Sequence, residues 1–170
     1  MYSKLKKLIV YILTKIYRAV RAPILWYQRK YNIQTKGVRV LMISQNKILL
    51  LKHWYNGLWV MPGGGVNRNE IPEYAAVREV KEEVGIEIKQ LDYLLGTYSN
   101  TKGGKTDTVF CYVAELPHIA EHKKKFNFEI SDMQWFDLST LPNGVSKATL
   151  QRIEEYQNKD IQEQIRPWSY

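Results

Sequence analysis

The rhythm of hydrophobic and polar positions changes along the chain. Over residues 4–22, Leu5, Leu8, Ile9, Ile12, Ile16 and Val20 recur at helical spacing with Lys and Arg between them. That pattern predicts a basic amphipathic helix, which Pro23 interrupts. From Lys36 the texture is that of strands, at 38–43 and 48–51, joined by the turn Gln45-Asn46-Lys47. A third apolar segment, Leu58-Trp59-Val60-Met61, ends at Pro62-Gly63-Gly64-Gly65. The pattern then predicts a helix over 72–84 that stops at Gly85, where the C′ position favours glycine. Further strands are expected near 92–99, 108–115 and 133–136, and a last helix near 147–157. Residues 29–36 read as the one linker. Strands, a helix, more strands and a last helix predict a mixed α/β sandwich of the α+β class rather than a regular alternation. The chain thus divides into an extension, 1–35, and one domain, 36–170.

Charge sharpens that division. The formal net charge is +8, yet Lys4, Lys6, Lys7, Lys15, Arg18, Arg21, Arg29, Lys30 and Lys36 face no Asp or Glu within residues 1–36. The remainder is close to neutral, so the asymmetry belongs to the extension. Docking on an anionic membrane surface or on RNA is one reading of it; a helix packed against the domain or a partner is the other. No apolar run reaches the roughly 18 residues needed to span a bilayer. The stretch 8–13 imitates a signal peptide but lacks a small-residue cleavage site before the arginines, and reads as retained. The expected location is cytoplasmic, with peripheral membrane attachment through the extension. The single cysteine, Cys111, lies in an apolar run and reads as a buried strand thiol, with no disulfide framework.

The chemistry gathers between residues 64 and 86. At 100° per residue, Glu79, Glu82 and Glu83 fall within an arc of about 100°, well apart from Val77, Val80 and Val84. One face packs on a sheet and another presents three carboxylates. Two carboxylates about 5 Å apart repel by roughly 3 kcal/mol at an effective dielectric near 20. Such a cluster relaxes by protonation, by moving apart into water as an ordinary solvated face, or by sharing a hard cation such as Mg²⁺ or Mn²⁺. The turn Gly63-Gly64-Gly65 is either a flexible connection or a place where backbone approaches a ligand closely.

Read in order, Gly64, Glu70, Arg78-Glu79-Val80, Glu82-Glu83 and Gly85-Ile86 occupy every defined position of the 23-residue Nudix box, and the chain resembles the Nudix hydrolases. The likeness extends to Leu58-Trp59 before the box, and to Trp135-Phe136 and Leu141-Pro142 after it, covering roughly residues 36–158. The resemblance implies a Nudix-type α/β/α sandwich with a mixed sheet. It further implies hydrolysis of a nucleoside diphosphate linked to another moiety, with Mg²⁺ or Mn²⁺ as cofactor. By position, Glu79, Glu82 and Glu83 would hold metal, with the Gly64 carbonyl as a further ligand and Glu129 as an additional downstream carboxylate. One glutamate would orient or deprotonate the attacking water, and Arg78 would fix Glu79 or Glu70. Three residues depart from common usage: Asn67 where Glu is frequent, Asn69 where Gly is frequent, and Ile71 where Ser or Thr commonly caps the helix.

Substrate choice lies outside the box. Trp54 and Tyr55 offer a stacking surface for a base, Trp59 either that or core packing, and Lys105 a contact to phosphate. The loop around Lys105 is only a near miss to a P-loop and reads rather as a flexible hairpin tip. His53, His118 and His122 lack ligand spacing and are assigned no metal. The leading expectation is a pyrophosphohydrolase for a nucleotide-type small molecule. The alternatives are a 5′-triphosphate RNA pyrophosphohydrolase and a nucleotide- or RNA-binding module of the same fold without turnover.

Overall fold

The computed structural model describes residues 34–102, 105–120, 130–161 and 164–168 (backbone only at 102 and 105), together with positions 12, 15, 19, 20, 22, 23, 26, 27 and 30. Among the described residues from Gln34 onward, seven strands and two helices follow in the order β1 (Gln34–Ser44), β2 (Lys47–His53), β3 (Trp59–Val60), α1 (Pro72–Glu83), β4 (Tyr93–Lys102), β5 (Lys105–Glu115), β6 (Ile130–Asp137), α2 (Lys147–Gln157) and β7 (Arg166–Pro167).

Alternation along the strands accounts for the three layers. Val38, Val40 and Met42 of β1, Leu49 and Leu51 of β2, and Tyr112 and Ala114 of β5 pack with Ala75, Ala76, Val80 and Val84 around α1. The intervening residues Leu41, Ile43, Ile48, Leu50, Cys111 and Val113 point the other way and pack with Leu95, Tyr98 and Ile153 of the α2 side. Both faces of the sheet are therefore apolar, as a sheet covered by helices on both sides requires.

The sheet is mixed. β1 runs parallel to β5 over a long register, from Gln34 opposite Thr106 to Ile43 opposite Glu115. β1 and β2 form a hairpin whose turn residues, Gln45 and Asn46, both take positive φ, the geometry of a tight two-residue turn. Close to that turn Ile43 faces Ile48, and β2 then pairs along its length with β6. The edge of β1 beyond the hairpin is taken by the glycine-rich loop. Val38 N donates to Gly64 O (2.9 Å), Val40 N to Pro62 O (2.9 Å), and Val66 N to Lys36 O (3.0 Å).

Two details differ from the pattern reading. The proposed linker ends earlier, because β1 already begins at Gln34 on the support of parallel β5. Pro23 does not break the preceding segment: Ala22, Pro23, Trp26, Tyr27 and Lys30 are all helical. Proline's fixed φ suits a helix, and what it removes is one hydrogen bond. The rest of the expected amphipathic helix lies outside the described residues. Cys111 is buried, and burial pushes its thiol up to about 12.

Candidate functional site

The site forms where the loop between β3 and α1 is clamped between β1 and the first turns of the helix. Gly63 has φ 138°, and a Cβ there would fall 2.2 Å from the Val38 carbonyl oxygen. Only glycine lets the loop lie this flat on β1. Its amide donates to Glu83 Oε2 at 2.8 Å. A Cβ on Gly64 would fall 2.6 Å from the Glu79 carboxyl group, so the bare backbone makes the space that Glu79 occupies. Asn69 supplies the left-handed residue (φ 65°) that turns the loop into the helix. Ile71 precedes α1 with no side-chain cap, and Pro72 starts it. Gly85, at φ 75°, closes the end: Val84 N bonds Val80 O and Gly85 N bonds Lys81 O.

Arg78 organises the carboxylates. Its guanidinium grips Glu70 in a fork, Nε to Oε1 at 2.8 Å and Nη2 to Oε2 at 2.9 Å. Nη1 reaches Glu79 Oε1 at 2.8 Å and Glu82 Oε2 at 3.3 Å, and Nη2 also donates to the Gly65 carbonyl at 3.0 Å. The expectation that Arg78 fixes Glu79 or Glu70 is met by both at once. The Arg78 fork, followed by the Asn67 amide, holds the Glu70 carboxyl well below its usual range, at about 2. Glu70 raises the Arg78 pKa in return. Asn67 therefore serves through its backbone amide, 2.8 Å from Glu70 Oε2.

The fit of this set to a divalent cation rests on donor chemistry and on the Gly64 space. Glu79 and Glu82 each engage Arg78 through one oxygen, and Glu82 is 59% exposed and able to swing. Three carboxylates on one helical turn are hard donors of the type Mg²⁺ or Mn²⁺ prefers. Among the described residues, no three His, Cys, Asp or Glu side chains already form a closed metal cage. The fit is thus one of donor chemistry and not of a formed cage. The Gly64 carbonyl, expected as a further ligand, accepts from Val38 N. That bond takes up one of its two acceptor positions.

The remaining expectations separate. Trp59 is buried and meets Phe136 edge-on at 4.7 Å, a core role. Trp54 and Tyr55 are half-buried, edge-to-face at 5.8 Å, and Tyr55 Oη bonds His53 Nδ1 at 2.8 Å. Burial and the positive field of Arg39 push His53 down to about 4. Arg39 flanks Gly63 on β1. Glu129 and His122 lie outside the described residues, as does the Lys105 side chain. Gly63 was legible as part of the glycine run, whereas Arg39 sits in an ordinary strand pattern and carried no signal. Two clefts, of about 580 and 670 Å³, are lined by other residues, among them Tyr93 and Tyr156 in one and Glu87 and His118 in the other.

A family model described as the NUDIX domain matches residues 34–156. The chain belongs to the Nudix hydrolase family. This family acts on pyrophosphate bonds. Among its relatives, an ADP-ribose pyrophosphatase of Methanocaldococcus jannaschii is 38% identical over 117 residues, covering 67% of this chain and 68% of the relative. The NAD-capped RNA hydrolase NudC of Vibrio atlanticus is 29% identical over 119 residues, 66% of this chain but only 41% of that protein. Among solved structures, a MutT Nudix hydrolase from Burkholderia pseudomallei superposes with a TM-score of 0.64 at 26% identity, covering 72% of this chain and 98% of that one. The Nudix core thus begins at β1 and leaves the basic extension outside the matched residues.

Proposed function

We propose that this Nudix protein hydrolyses the pyrophosphate bond of a nucleoside diphosphate linked to another moiety, with Mg²⁺ or Mn²⁺ as cofactor. The observation that carries the reading is the interlock of the glycine loop with the carboxylate helix. Gly63 N holds Glu83, Gly64 makes room for Glu79, and Arg78 joins Glu70, Glu79 and Glu82 to the Gly65 carbonyl. Similarity to an ADP-ribose pyrophosphatase supports a substrate of that class.

Glu79, Glu82 and Glu83 would hold the cation. When bound, it supplies screening of the substrate's phosphate charge and a lowered pKa for water. The chain's own part is orientation and proton handling. One glutamate of the set, with Glu83 favoured by its fixed position against Gly63 N, aligns a water with phosphorus and accepts its proton. The water oxygen bonds to phosphorus as the bridging P–O bond breaks, and the bridging oxygen leaves with the electron pair. Trp54 and Tyr55 would offer the face on which a base stacks.

Glu83→Gln tests the reading. It keeps the shape and the hydrogen-bond acceptor but removes the charge and the base. Hydrolysis of ADP-ribose in Mg²⁺ should fall by about 10²- to 10⁴-fold, with ligand binding retained in a calorimetric titration. Equal turnover by the wild type and the variant would defeat the mechanism. Binding without turnover by the wild type, across ADP-ribose, other nucleotide sugars and triphosphorylated RNA, would make the protein a binding module instead.

A further inference from the structure

The extension carries a surface that the hydrolytic site does not use. Placed on one helical wheel, Leu5, Leu8, Ile9, Ile12, Ile16, Val20, Trp26 and Tyr27 share an arc of about 120°, while Lys6, Lys7, Arg18, Arg21 and Arg29 fall on the opposite side. The segment is helical at every described position, on both sides of Pro23. At its described positions the apolar arc is exposed: Ile12 is 46% exposed, Val20 62%, Trp26 61% and Tyr27 54%. Lys30 lies on the same arc, with its ammonium 5.0 Å from the centre of the Trp26 ring. A long lysine can snorkel from such a position, its stem along apolar surface and its charge in the polar layer.

We propose that the basic, apolar-sided segment 4–30 lies flat on an anionic lipid bilayer and holds the Nudix domain at a membrane surface. Three properties select this occupant. The nine cations of residues 1–36, with no acid among them, complement anionic headgroups. The apolar arc matches the acyl boundary, and Trp and Tyr favour the interface between the two. Among the described residues no helix is long and apolar enough to cross a membrane, consistent with lying on the surface rather than spanning. RNA shares the attraction to cations but gives the exposed aliphatic arc nothing to bury against, so the apolar half decides between them.

Flotation of the full chain with vesicles separates these occupants. The protein should rise with phosphatidylcholine vesicles containing phosphatidylserine and stay below with pure phosphatidylcholine. Arg18→Glu/Arg21→Glu should weaken binding by ~10- to 100-fold, and raised salt should act in the same direction. Ile12→Gln/Val20→Gln/Trp26→Gln, which leaves every charge in place, should abolish flotation. Unchanged thermal melting in both variants would show that the domain itself is intact. Equal flotation on neutral vesicles, no flotation on either, or full binding by the apolar-face variant would each overturn the proposal. So would single-stranded RNA binding that the charge variant loses and the apolar-face variant keeps, if anionic vesicles go unbound.

Discussion

The two helices on opposite faces of the sheet each carry an arginine that grips glutamates, and the two arrangements differ in what they leave open. On α1, Arg78 is 28% exposed, and its partners Glu79 and Glu82 each give it one oxygen. On α2, Arg152 is 3% exposed and clasps Glu155 at 2.6 and 2.7 Å. Its guanidinium lies 3.8 Å from the centre of the Tyr98 ring and 5.6 Å from that of Trp168. Glu155 also accepts from Tyr98 Oη at 2.5 Å and pairs with Arg166 at 2.9 Å. Burial works against the Glu155 charge, but Arg152 and Tyr98 outweigh it and lower the pKa. Arg152, Tyr98 and Arg166 all engage Glu155, so the α2 pair is a fastener that ties β4, α2 and β7 together. On α1 the Glu79 side chain is as buried as Glu155, whereas Glu82 is 59% exposed and leaves a carboxylate at the surface. The same residue types thus do different work, and burial and coordination left unused tell them apart.

The comparison breaks most visibly at Arg152. Arg152→Ala should lower unfolding stability by about 1–3 kcal/mol, because Glu155 loses its forked partner and keeps only Arg166 and Tyr98. Urea denaturation measures it, and residual activity at a temperature where the variant is folded should stay near wild type. A loss below about 1 kcal/mol would show that the fastener is dispensable. Arg152 Nη1 is itself buried with no hydrogen-bond partner, a cost that Arg152→Met removes while filling the space, so Arg152→Met should lose less stability than Arg152→Ala.

Arg78→Ala should give the converse. Its half-exposed ion pairs contribute at most about 1 kcal/mol to stability. Releasing Glu79 and Glu82 from their anchor should instead reduce hydrolysis by roughly 10- to 100-fold, partly as a weaker requirement-curve midpoint for Mg²⁺. Arg78→Lys should recover little, since an ammonium cannot make the forked contact with Glu70 while reaching Glu79 and the Gly65 carbonyl. A stability loss as large as that of Arg152→Ala, with activity retained, would make α1 a second fastener.

The two networks were unequally legible in the sequence. The α1 set is local: Gly64 to Ile86 is one contiguous stretch, its spacing fixes which side chains share a helical face, and Gly85 marks where the helix stops. The helix bounds at Pro72 and at 147–157 were readable for the same reason. The fastener joins Tyr98, Arg152, Glu155, Arg166 and Trp168, which are far apart in the chain and meet only through the sheet. Its strand β7 is two residues long and paired to the edge of β4, too short to imprint a period. The parallel pairing of β1 with β5 was hidden likewise, since alternation tells which face a side chain takes but not which strand lies beside it. Arg39 became visible only when the glycine loop was seen to lie on β1.

The mildest separation of the two networks is their response to acid, and Glu70 carries it. Its folded pKa is depressed to about 2 by the Arg78 fork and the Asn67 amide. A carboxylate depressed on folding contributes stability above its unfolded pKa, near 4.3, and that contribution fades as pH falls toward the folded value. Glu70→Gln removes the titration. The urea midpoint of the wild type should therefore exceed that of Glu70→Gln at pH 7 by a small margin that is constant down to about pH 5. The margin should shrink between roughly pH 4 and 2, where the wild type takes up the proton that the variant has no site for. A margin that holds level through that window would show that Arg78 does not depend on the Glu70 charge. The α1 network would then be held by the Gly65 carbonyl, Glu79 and Glu82, and Glu70 would be a shape rather than a charge in the site.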